Sequence, residues 1–127
     1  MSKLRQHRGE KGEQIAVNFL RRLGYQIAQQ NYRCRQGEID IIAKDGATLV
    51  FIEVKTKAQA AFGAPQAMVT PTKQKTITQV AMRYVQQHHF LNTALRFDVI
   101  GITFLSNGRT EVEHFPAAFT PSGAFFY

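Results

Sequence analysis

The chain has 127 residues, sixteen lysines and arginines against nine aspartates and glutamates, 44% hydrophobic residues and one cysteine. That length suits one domain and is too short for two, so residues 1–127 read as a single unit with its core over about 9–116 and a basic tail at 1–8. The apolar content excludes a disordered chain, no apolar run reaches the ~20 residues of a bilayer span, and Cys34 alone excludes an internal disulfide or a multi-thiolate zinc site.

The N-terminus, MSKLRQHRGEKGE, is basic with no apolar stretch behind it, so it is not a secretory signal, and a cytoplasmic protein is expected. A net charge of +7 favours a polyanionic partner. The charge is concentrated early: Lys3, Arg5, Arg8, Lys11, Arg21, Arg22, Arg33 and Arg35 face only Glu10 and Glu13 within the first 35 residues. Nucleic acid is the expected partner, against the plainer reading of a basic surface kept for solubility.

From Gly9 to Leu23, Ile15, Ala16, Phe19, Leu20 and Leu23 recur at helical spacing and Gly24 follows as a stop, predicting a first helix. Glu13 falls at the border of the buried stripe. It serves either as a carboxylate favoured near the helix N-terminus or as one aimed at a site beneath. Tyr25 to Ala28 reads as a short strand, followed by a polar loop, Gln29 to Gln36. There Tyr32 between basic residues Arg33 and Arg35 suits contact with a phosphate backbone or a base, or is ordinary surface.

Gly37 to Lys57, GEIDIIAKDGATLVFIEVKTK, is the most informative stretch. Two nearly continuous apolar strands flank Asp45-Gly46, a strong turn signal, and such strands are usually covered on both faces. A two-residue turn there pairs residues whose numbers sum to 91, setting Asp40 opposite Phe51 and Glu38 opposite Glu53. Side chains alternate, so Glu38, Asp40, Phe51, Glu53 and Lys55 are expected on one face, with Asp40 and Glu53 as diagonal neighbours roughly 7 Å apart or less at Cβ. Carboxylates and an ammonium in an apolar sheet are costly unless paired or holding an ion.

After Lys57 the text loosens into AQAAFGAPQA, a loop expected to border the site. Thr70 and Pro71 then start a second helix, as N-cap and first helical residue, with Ile77, Val80, Ala81, Tyr84 and Val85 as its buried stripe. Lys73 and Gln74 prolong that stripe into the first turn. A lysine there opposes the helix dipole, so Lys73 has either a functional reason or a snorkelling surface position. His88-His89 ends the helix, and none of the four histidines is assigned a chemical role. LRFDVIGITF, residues 95 to 104, is a further strand in which Asp98 is expected to make a structural salt bridge, with Arg96 among its candidates. Residues 109 to 115 form a weaker strand, and the tail, PAAFTPSGAFFY, is expected to pack on the core or on a partner chain.

Two carboxylates on neighbouring strands without Cys or His make a hard oxygen site, suited to Mg²⁺ or Mn²⁺. Lys55, two residues beyond Glu53 on the same face, is placed to orient or deprotonate an attacking water and to neutralise developing charge. Metal-dependent phosphodiester hydrolysis follows.

This arrangement, Asp on one strand and Glu-x-Lys on the next after a helix bearing Glu, resembles the PD-(D/E)xK nuclease superfamily, in particular its Holliday-junction-resolvase-like and restriction-endonuclease-like members. More closely, GEKGEQIAVNFL, NYRCRQGEIDIIAKDGATLVFIEVKTK, VTPTKQ and RFDVIG are similar to the YraN-type family of small bacterial predicted endonucleases, over about residues 9–104. The superfamily resemblance implies an α/β domain with a mixed central sheet flanked by helices, in the order αβββαβ. It implies Asp40, Glu53 and the Val54 carbonyl as metal ligands, Glu13 supporting the metal or its water, and Lys55 activating water. Lys73 or Gln74 corresponds to supplementary polar positions on the second helix. One departure is Glu-Ile-Asp where the superfamily name calls for Pro-Asp.

The expected function is therefore a Mg²⁺- or Mn²⁺-dependent endonuclease. Its expected substrate is DNA rather than RNA, branched or structured DNA included, contacted through Arg33, Arg35, Lys57, Lys73 and Gln74. A homodimer would serve a two-fold substrate. The alternatives are a catalytically silent nucleic-acid-binding module of the same fold and a protein-interaction module docking through its aromatic tail.

Overall fold

The computed structural model describes residues 3–59, 69–90 and 92–121, with the side chains of residues 3–8 outside the description. The described residues form α1 (Lys3–Arg22), β1 (Gln26–Cys34), β2 (Gly37–Asp45), β3 (Thr48–Ala58), α2 (Pro71–Gln87), β4 (Leu95–Phe104) and β5 (Thr110–Phe119). They build a single α/β domain on one mixed sheet of order β1-β2-β3-β4-β5, consistent with a restriction-endonuclease-like core. The β3–β4 pair is parallel, joined through α2, and the other neighbours are antiparallel.

Both faces of the sheet are covered. α2 lays Ile77, Val80, Ala81, Tyr84 and Val85 against Ile39, Ile42, Leu49, Phe51, Phe97 and Val99. α1 lays Ala16, Val17 and Leu20 against Ile41, Ala43, Val50, Ile52, Ile100 and Ile102. This double burial explains the unbroken apolar runs of β2, β3 and β4. α2 starts as its sequence dictates: the Thr70 side chain accepts from the Lys73 N–H and Pro71 opens the helix.

Three expectations are corrected. α1 begins at Lys3, so most of the expected basic tail belongs to the helix. β1 runs nine residues, through the stretch read as a loop. It is an edge strand with one pairing neighbour, so most of its residues stay exposed and polar and carry little apolar signal. The hairpin turn is Gly46-Ala47, with Gly46 at φ 59°, and pairs sum to 93, as in Asp45↔Thr48 and Ile41↔Ile52. A shift of two preserves the parity. Most of the expected 58–67 loop and the end of the tail, 122–127, lie outside the described residues. Residues 116–119 of that tail belong to β5. Among the described residues no helix is long and apolar enough to cross a membrane.

α1 packs close on β3 at Gly12, where a Cβ would come 2.3 Å from Thr56 Cγ2. Alanine is the better helix former by about 1 kcal/mol, yet overpacking of this kind costs roughly 1–3 kcal/mol. Gly12→Ala is therefore expected to lower the melting temperature. Adding Thr56→Ser, which removes the clashing methyl, should restore most of it in a double-mutant cycle of thermal melts.

Candidate metal and catalytic site

β3 is regular. Phe51 packs beneath α2, so Glu53 and Lys55 follow it on that face, while Val50, Ile52 and Val54 face α1. β2 is not regular: Ile39 lies under α2 but Ile41 lies under α1, so alternation breaks at Asp40. On β1 the residue beside the break, Asn31, has φ 52°, and the ladder passes from Gln30↔Ile41 to Tyr32↔Ile39. Pairing of β2 with β3 ends at Ile41↔Ile52, and the Val54 N–H donates instead to Asp40 Oδ2 at 2.8 Å. Glu38 thereby leaves the face expected for it and pairs with Arg33, 2.9 Å away.

Past the last ladder pair, Ile41↔Ile52, the Asp40 side chain meets β3 at Val54, next to Glu53. The Asp40 carboxyl lies within electrostatic reach of Glu53 and of Glu13 on α1. Burial first, then the bond to Glu53 and its charge, push the Asp40 carboxyl up to about 9. The pair therefore retains a proton at neutral pH unless a cation takes its place. Glu13 is raised as well, chiefly by burial.

Two lysines close the other side. Lys73 Nζ stands 2.9 Å from Glu53 Oε2 and Lys55 Nζ 4.0 Å from it. Burial and then the adjoining Lys73 lower the Lys55 ammonium from its ordinary value. Burial also opposes Lys73, but its contacts with Lys55 and Glu53 outweigh this and raise it. Lys55 is thus the more readily neutral amine of the two.

Glu13, Asp40, Glu53, Lys55 and Lys73 are brought together, with Val54 beside them; the remaining candidates are not. Gln74 turns its amide back to donate to the Val69 carbonyl at 3.0 Å, just ahead of the Thr70 N-cap. Val54 meets Asp40 through its N–H. Arg33 and Arg35 are exposed beyond the carboxylates, and Lys57 is half-buried on β3 two residues past Lys55. The role sequence reasoning missed is the Lys73 ion pair. Its signal was present, as a lysine against the dipole of the first helical turn.

A hard cation fits the residues present. Glu53 Oε2 is buried and accepts no hydrogen bond, the Lys73 contact being out of alignment for one, so this oxygen keeps lone pairs to give. Asp40 and Glu53 are the residues that would hold it. Among the described residues no three His, Cys, Asp or Glu side chains form a ready metal-holding group, so water and substrate oxygens would complete the shell.

A second polar cluster lies on the α1 face. Asp98 is fully buried and accepts from Arg96 at 2.9 Å, from His114 Nε2 at 2.8 Å and from the Ala117 N–H at 3.0 Å. Arg96 also reaches Asp45 and the Tyr25 hydroxyl. This is the structural salt bridge expected of Asp98.

The profile of "Uncharacterised protein family UPF0102" matches residues 12–102, most of the chain. The chain belongs to family UPF0102. This is the YraN-type family that the motifs resemble. A UPF0102 protein of Geotalea daltonii is 50% identical over 111 residues, 87% of each chain. One from Geobacter sulfurreducens is 48% identical over 111 residues, again 87% of each. A more distant UPF0102 protein, from Anaeromyxobacter dehalogenans, is 40% identical over 119 residues, 94% of this chain and 88% of its own. The UPF0102 match takes in Glu13, Asp40, Glu53, Lys55 and Lys73.

Proposed function

We propose that this UPF0102 chain is a Mg²⁺- or Mn²⁺-dependent endonuclease hydrolysing phosphodiester bonds in DNA, branched or structured DNA included. The observation that carries the reading is the Asp40–Glu53 carboxyl pair, one oxygen of it buried without a hydrogen bond, flanked by two ammonium groups. A divalent cation bound there supplies a water of lowered pKa and shields phosphate charge. Asp40 and Glu53 would hold that cation. Lys55, shifted toward neutrality, takes the proton of the attacking water, and Glu13 holds Asp40 from α1. Arg33 and Arg35 supply exposed positive charge for the DNA backbone.

The test is incubation of purified protein with nicked, flapped and four-way DNA in Mg²⁺ or Mn²⁺. Cleavage that disappears with EDTA and with Glu53→Gln is expected. Failure to cut any of them, or cutting that survives Glu53→Gln, would sink the reading. One observation favours a binding-only module: Lys73 already balances the Glu53 charge. Salt-sensitive DNA binding without cleavage would decide for that module.

Lys55→Met separates the roles further. It should lower the cleavage rate by about 10²–10⁴-fold, the usual worth of a general acid–base group, while Mn²⁺ affinity stays within a few-fold of the parent. Rate constants and a calorimetric Mn²⁺ titration check it.

A further inference from the structure

Glu53 and Lys73 are an unequal pair. The Glu53 side chain is 7% exposed, on a central strand, with its Oε2 out of reach of water. Lys73 is 43% exposed, on the first turn of α2, with its backbone N–H held by Thr70. Its position opposes the helix dipole, and the first turn carries no acidic residue to offset it. The contact that offsets this is Glu53 Oε2, 2.9 Å away. Its ammonium shares Glu53 Oε2 with that of Lys55, which stands 4.0 Å from the same oxygen.

Sharing that oxygen between two cations is electrostatically costly. A Mg²⁺ or Mn²⁺ ion binds carboxylate oxygen at about 2.0–2.2 Å, so ion and ammonium sharing Oε2 would stand within about 5 Å of each other, both positive and poorly screened. Lys55 is the less able to yield, being 18% exposed and 4.0 Å from the oxygen.

We infer that Lys73 is the built-in counter-ion of Glu53, surrendering Oε2 when a divalent cation binds and swinging outward to meet a substrate phosphate. The inference rests on the metal-site reading above and adds an ordered exchange to it. Lys73 keeps the carboxylate compensated before the cation arrives, so α2 stays seated on β3. Its release couples cation binding to DNA binding.

The test follows Mn²⁺ by the loss of the free-ion electron paramagnetic resonance signal, in wild type, Lys73→Met and Lys73→Gln. The second substitution serves should the first fail to fold by circular dichroism. Removing the competing ammonium is expected to tighten Mn²⁺ binding about tenfold. DNA affinity in Ca²⁺ is expected to fall, its log–log salt slope shrinking by about one phosphate contact. Wild type that binds Mn²⁺ while both variants bind it equally or more weakly overturns the exchange and leaves the metal site standing. An unchanged salt slope overturns the outward swing. Absence of Mn²⁺ binding in all three proteins overturns both this inference and the reading it rests on.

Discussion

Asp40→Asn is expected to lower Mg²⁺-dependent DNA cleavage on the order of 10³-fold or more, while making the metal-free protein more stable at pH 8 to 9. Both effects have one cause. In the folded chain the Asp40 carboxyl titrates at about 9, against 3.8 for an unperturbed group, because it is buried against Glu53. Between those values the native state holds a proton that the unfolded chain releases. The stability from this proton is therefore complete below about pH 4 and is lost as pH rises through 9, with a slope of at most ~1.4 kcal/mol per pH unit. Asparagine keeps an acceptor for the Val54 N–H and a donor toward Glu53, so it imitates the protonated acid at every pH. Thermal melts in EDTA should fall from pH 5 to pH 9 for the parent and fall less for Asp40→Asn. Adding Mn²⁺ at pH 8.5 should raise the parent's melting temperature and leave the variant's unmoved.

Asp98→Ala carries the largest expected loss of stability. It leaves Arg96 with a partner only in Asp45 and Tyr25, and strips His114 and the Ala117 N–H of their acceptor. Breaking a buried charge pair from one side typically costs about 3–5 kcal/mol, which for a domain this size lowers the melting temperature by roughly 10–20 °C. Asp98→Asn should fall between. Because Asp98 faces α1 while Glu53 faces α2, the cleavage rate of folded Asp98→Asn, measured well below its melting temperature, should stay near that of the parent.

The two carboxylate clusters differ in how far the sequence discloses them. Asp40 and Glu53 are legible because strand alternation and the Asp45-Gly46 signal bring them together for any turn of even length. The observed turn moved the pairing by two and kept the parity. The break at Asp40 was not legible. It lies beside a positive φ at Asn31, in a stretch whose polar text reads as loop although it forms the edge strand β1. That break leaves Glu38 paired with Arg33 and lets the Asp40 side chain replace a ladder hydrogen bond.

Lys73 and Gln74 show the same boundary within one helical turn. Sequence spacing places both on the face toward the sheet. Which reaches Glu53 and which folds back onto Val69 is set by the exact seat of the α2 N-terminus, fixed by Thr70 and by contacts distant in sequence. His114 carries no signal at all in a weak edge strand. It meets Asp98 because β5 bulges between the Phe97↔Phe119 and Val99↔Phe115 pairs, turning the Ala117 N–H and the imidazole onto one carboxylate.

The central claim is that Asp40 and Glu53 form one seat for a divalent cation, and a crystal of the protein soaked in Mn²⁺ tests it most directly. A single anomalous peak within about 2.2 Å of an Asp40 oxygen and a Glu53 oxygen, with the Lys73 ammonium withdrawn from Glu53, is the predicted result. Full Mn²⁺ in the soak with no peak there, and Lys73 still seated on Glu53 Oε2, would contradict it.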